Sequence, residues 1–160
     1  MGQPQEAIAE IEEGIGRARR SNLGYMQGFM LGWLAVVQAE IGDPETALAT
    51  IEGALRQVND VSGHAWEAEL RRLQGEILLM ARPDAADATE RSYNDAIAVA
   101  QKQHARSLEL RATTSLARLL RSQGRNEEAR RRLAPALDWF SEGFDTADLA
   151  EAKKLLAALG

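Results

Sequence analysis

The chain of 160 residues has no cysteine, so neither a disulfide nor a thiolate-held metal can stabilise it. Its imidazoles number two, His64 and His104, too far apart in sequence to suggest a shared metal. Positive charge is in deficit: 19 Lys and Arg against 24 Asp and Glu give a net charge of −5. That balance argues against a general nucleic-acid binder while leaving room for a local basic patch. The longest apolar run, near 29–37, is short and broken by glycine, so no membrane span is expected. No basic-then-apolar leader opens the chain, and a cytoplasmic location is expected. The phosphate-cradling G-x-x-x-x-G-K-[ST] loop and the G-x-S-x-G nucleophile elbow are both missing. The expectation is a non-catalytic segment without cofactor or metal.

What is present is helical. Ala, Leu, Glu and Arg dominate, Val and Ile are scattered, and aromatics are only 5%, a composition without strand-like alternation. The chain also repeats itself. "GDPETALATIEGAL" (42–55) and "GRNEEARRRLAPAL" (124–137) share Gly, then Ala five residues on, an aliphatic four later and Ala-Leu three later. "GQPQEAIAEIEEGI" (2–15) follows the pattern, and "DAADATERSYNDAI" (84–97) follows it with Thr89, Tyr93, Ala96 and Ile97 in the equivalent places. "HAWEAELR" (64–71) and "HARSLELR" (104–111) echo each other 40 residues apart, which places a two-residue excess in loop 59–63. Gly75 resists that register: it suits Ala117 better than Ser115.

Helices are expected at 4–20, 23–41, 44–58, 64–81, 85–103, 105–123, 126–142 and 146–159. One helical pair cannot bury its apolar face alone, so copies must stack, the small Ala allowing close approach and the aliphatic residue filling the joint. Asp43 and Asp145 are expected as helix caps, Pro44 as a first-turn residue, and Gly42, Gly124 and Gly143 as turn or helix-end residues. Pro135 should kink its helix by clashing with the carbonyl of Arg131.

These residues resemble the tetratricopeptide repeat. Leu31, Leu34 and Ala35, then Gly42, Ala47, Ile51, Ala54 and Leu55 stand in that family's order. So do Leu116, Ala117 and Leu120, then Gly124, Ala129, Leu133, Ala136 and Leu137. The departure is a period near 40 instead of 34. The resemblance implies an all-α fold: one right-handed α-solenoid of antiparallel helix pairs over residues 1–160. Its parts would be a half repeat (2–20), three repeats (23–58, 64–103, 105–142) and a capping helix (146–159). Residues 105–125 and 133–156 also resemble the carboxy-terminal helical tail of bacterial signalling proteins carrying a cyclase and a P-loop ATPase. This implies a terminal fragment, consistent with an opening on the second helix of a pair.

In such a solenoid the first helix of each pair lines the concave side. Glu69, Arg72 and Glu76, with Arg111, Arg118 and Arg121, would form a mixed, partly basic groove for a peptide or an acidic segment. The alternative is a solvated face of internal ion pairs. The lysine and asparagine pattern of the peptide-carboxylate clamp is missing. Tyr25, Met26, Phe29, Met30 and Trp33 cannot all face one neighbour. They predict a sticky patch, covered by an absent preceding repeat or used for homodimerisation. "RRR" (130–132) reads as an outer solvated face. Trp139, Phe140 and Phe144 should pack the closing helix, Trp66 should be core, and the two histidines should serve in capping or loops. The leading functional expectation is a protein-interaction module binding a peptide or another domain of its own chain. The rival is a small-molecule sensor with an apolar pocket near Trp33, Trp66 and Leu79.

Overall fold

The computed structural model describes residues 4–21, 24–57, 64–143 and 145–160. Among these residues eight α-helices follow one another: α1 (Pro4–Arg20), α2 (Gly24–Glu40), α3 (Pro44–Gln57), α4 (Glu67–Ala81), α5 (Ala86–Lys102), α6 (Arg106–Ser122), α7 (Asn126–Asp138) and α8 (Ala147–Ala157). A 3₁₀ turn, His64–Trp66, leads into α4, and the described residues contain no strand. The largest departure from expectation is α7, which ends at Asp138 instead of 142. It stays helical through Pro135, whose missing N–H deprives the last turn of a bond.

Asp43 caps α3 as expected, accepting from the Thr46 N–H at 3.2 Å. Asp145 does not cap α8; Thr146 occupies that position and makes no side-chain cap bond. Gly42 and Gly124 adopt φ of 91° and 76°, and the residue after each donates five positions back: Asp43 N–H to the Gln38 carbonyl, Arg125 N–H to that of Leu120. The same bond, Ala105 N–H to the Ala100 carbonyl, closes α5, but there His104 holds the left-handed position, φ 55°. His104 thus ends one helix instead of opening the next. A side chain in this region costs about 1–2 kcal/mol, part of which a glycine forfeits through greater unfolded-state freedom. His104→Gly is therefore expected to add about 0.5–1 kcal/mol, raising the thermal midpoint by a few degrees; a lowered midpoint would contradict the assignment.

Each helix packs on its neighbour in the chain. α2, α4, α6 and α8 also touch in series, while the backbones of α1, α3, α5 and α7 stay apart among the described residues; α5 and α7 meet only through side chains there, Arg132 donating to the Asn94 side-chain oxygen. The repeated joint positions are buried in three copies, Ala47, Thr89 and Ala129, with Ile51, Tyr93 and Leu133 four residues on; in the first copy Ala7 and Ile11 are half-buried. Apolar side chains gather in two clusters, one from α1–α4 around Leu34, Ile51 and Leu70, the other from α5–α8 around Leu116, Leu120 and Leu133. Polar side chains are buried where α4 meets α5 and α6, among them Arg72, Thr89, Ser92 and Ser115.

The register now resolves. Buried positions 68, 70, 72, 73, 75 and 77 of α4 recur in α6 at 110, 112, 114, 115, 117 and 119. This offset of 42 matches Gly75 with Ala117. The two extra residues therefore lie between Gly75 and Thr89, not at 59–63: α4 runs one residue further past its small residue, and its turn, 82–85, is one longer than 41–43 or 123–125.

Thr89 replaces the alanine of the neighbouring joints, and its buried hydroxyl has no hydrogen-bond partner among the described residues. Thr89→Val keeps the shape and removes that unpaired group, for an expected gain of about 1 kcal/mol. A urea midpoint unchanged or lower would show that the hydroxyl is satisfied in solution.

Candidate functional site

The helices α2, α4, α6 and α8, in contact in series, supply the lining of two adjoining cavities. Helical spacing puts Glu69, Arg72 and Glu76 on the same side of α4. Arg72 is buried, and its fork grips Glu69: Nε donates to Oε2 at 3.0 Å and Nη2 to Oε1 at 2.7 Å. Its Nη1 donates to Glu76 and, at 3.4 Å, to Ser115 Oγ, which itself donates to Glu76 Oε1 at 3.0 Å. Burial alone would lower the pKa of this guanidinium. The hydrogen bonds and charges of Glu69 and Glu76 outweigh that and raise it, so Arg72 stays charged.

Two arginines of α6 extend the network to α8. Arg111 Nη2 lies 3.0 Å from Glu69 Oε1, and its Nε lies 3.8 Å from Asp148 Oδ1. Arg118 pairs with Glu151 and reaches Glu76 Oε1 at 4.0 Å. The expected partly basic groove is thereby corrected: four carboxylates meet three guanidiniums, because α8 brings Asp148 and Glu151. Five of the six anticipated residues come together. Arg121 does not; it is exposed near the end of α6 and makes no ion pair among the described residues. Ser115, Asp148 and Glu151 were not anticipated here. The acidic pair spaced three apart on the closing helix was the available signal, but not that α8 would lie against α6.

The apolar stretch of α2 divides between two sides. Met30 packs into the core cluster beside Gly14 of α1, and Met26 is half-buried. Phe29 and Trp33 turn to the α4 side, where Trp33 is 54% exposed. The Tyr25 side chain lies outside the described residues. One five-residue sticky patch is therefore not formed. Instead Trp33 meets Phe29 edge-on, centroids 6.1 Å apart, and Phe29 tilts over Trp66 at 4.8 Å. Gly28 and Gly32 make this possible, one lying against Trp66 and the other against Leu73. The aromatic wall bounds a cavity of about 240 Å³. Arg72, Glu76 and Arg111 also line an adjoining one of about 190 Å³, which runs on to Arg118 and Glu151. Leu79 does not line the aromatic cavity; it lines a third hollow with Met80 and Tyr93, which shares Glu76 with both of the others.

One further expectation changes. Trp139 does not pack the closing helix; it is 57% exposed with the Arg106 guanidinium 5.3 Å from its ring, while Phe140 is partly buried against the core. Phe144 lies outside the described residues. His64 sits 3.7 Å from Glu67, and among the described residues no cluster of His, Asp or Glu could hold a metal ion. No described helix is long and apolar enough to cross a membrane.

The chain is thus an all-helical, repeat-like protein with a mixed aromatic and ionic groove. Its fold is similar to that of BtubC (BKLC) from P. vanneervenii, with a TM-score of 0.82 over 99% of this chain at 16% identity. It spans 66% of that chain's length. At this identity the likeness concerns the fold alone. No protein-family model matches the sequence, and no curated protein does.

Proposed function

We propose that the chain is a non-catalytic protein-interaction module of a larger signalling protein, built as a right-handed α-solenoid of the tetratricopeptide type with a period near forty residues and α8 as its cap. In support, the backbones of the even-numbered helices lie close in series while those of the odd-numbered ones stay further apart, an arrangement that bends the stack around the even row. The inner face is then the groove described above. The observation that carries the reading is the solvent-exposed Trp33 at the head of a groove whose ionic half is already paired internally. Apolar contact supplies affinity there, and the ion pairs shape the wall. The partner is an extended peptide, or a segment of the same protein's other domains, with a bulky apolar anchor.

Peptide display against the intact chain tests this. Selected peptides are expected to carry an aromatic or large aliphatic anchor, and Trp33→Ala to weaken them about tenfold or more. No enrichment, or equal binding by the variant, would overturn it. The sensor reading is weaker, because Leu79 does not line the cavity that Trp33 and Trp66 bound.

A further inference from the structure

The chain as a whole is acidic, yet one cavity has the opposite sign. The backbones of α5 and α7 stand apart, and the gap between them, about 500 Å³, has residues of α6 along its lining. Arg106, Arg131 and Arg132 line it against one carboxylate, Glu109. That carboxylate is already engaged: Arg106 Nη1 donates to it at 2.7 Å and Gln101 Nε2 at 2.8 Å. Arg132 donates to the Asn94 side-chain oxygen, a neutral partner. Arg131 is exposed and has neither ion pair nor hydrogen bond among the described residues. The groove cavities differ, since each balances its guanidiniums with an equal number of carboxylates.

Trp139 also lines the gap, half-exposed, with Arg106 over its ring and Phe140 edge-on at 5.3 Å. Two oddities of the sequence meet here. The "RRR" run supplies the unpaired guanidiniums, and Pro135, costly inside a helix, forms part of the wall.

We propose that this gap binds a planar heteroaromatic monophosphate, of which a nucleoside monophosphate is the simplest form. Arg131 and Arg132 hold the phosphate through their forked donors, and the ring stacks on Trp139. The volume falls within the roughly 300–1,000 Å³ typical of such sites. The site is separate from the peptide groove and does not depend on it.

Calorimetric titration of the intact chain with adenosine monophosphate, adenosine and inorganic phosphate tests the proposal. The nucleotide is expected to bind with a Kd below about 1 mM, at least about tenfold tighter than either half alone. Arg131→Glu with Arg132→Glu should weaken it about tenfold or more, and Trp139→Ala should bring it to the level of inorganic phosphate. All three side chains are exposed, so circular dichroism and melting should match the parent. If charge reversal disturbs folding, the double glutamine variant replaces it. No heat with the nucleotide, affinity no better than phosphate alone, or equal binding by the folded arginine variants would overturn the proposal.

Discussion

Gly75→Ala should destabilise the protein by about 1–3 kcal/mol, although the same change in an exposed helix interior gains about 1 kcal/mol. The reason is Tyr93. A Cβ at position 75 would stand 2.5 Å from Cε1 and 2.8 Å from Cδ1 of the tyrosine ring. The ring is buried, so it cannot swing into solvent to relieve the overlap. The neighbouring joints solve the same packing problem with other sizes: Ala35 with Ile51, and Ala117 with Leu133, all buried. The α4–α5 joint has exchanged volume between its halves, a larger side chain on α5 for a missing methyl on α4.

That reading makes a sharper forecast for the pair. Tyr93→Leu alone opens a void over Gly75, at an expected cost of about 2 kcal/mol or more. Combined with Gly75→Ala it recreates the joint of α6 and α7, so the double variant should be more stable than the sum of the two single changes implies, by about 0.5–3 kcal/mol. Urea unfolding of the four proteins closes the cycle. Gly75→Ala at or above parental stability, or strict additivity, would mean that the residues do not share a joint.

Gly75 also shows how the sequence carries the fold. Its mismatch with Ser115 was visible as a flaw in the repeat, and so were the helix spans, because glycine, proline and period-3.6 spacing are local signals. The location of the two-residue excess was not, since loop lengths trade freely along a chain while only burial reports which residues share a joint. Trp139 misled for a related reason. An aromatic near a terminus is expected in the core, but the early end of α7 after Pro135 carries it to the surface. The candidate groove was half legible. Glu69, Arg72 and Glu76 share a helix face by arithmetic, and Arg111 and Arg118 do likewise. Their pairing with Asp148 and Glu151 depends on how α8 slides along α6, which no spacing within one helix encodes.

Arg72→Ala should cost about 3 kcal/mol or more, because removing one member of a buried ion pair strands the others. Glu69 would keep only Arg111, and Glu76 only Arg118 at 4.0 Å and the Ser115 hydroxyl. Arg72→Lys retains the charge but not the fork that meets both Glu69 oxygens, so it should recover part of the loss and no more. Arg118→Ala supplies the contrast. Its pair with Glu151 joins side chains about half exposed, where such contacts contribute about 0–1 kcal/mol. The raised pKa of Arg72 means that its charge, and the stability that depends on it, persists through neutral pH and is lost only as pH climbs beyond the ordinary arginine range. Urea midpoints should therefore fall in the order Arg118→Ala, Arg72→Lys, Arg72→Ala, with the last lowest at neutral pH. If Arg72→Ala proved as mild as Arg118→Ala, the network would be a solvated surface feature. The α4–α6 contact would then owe its stability to apolar packing alone.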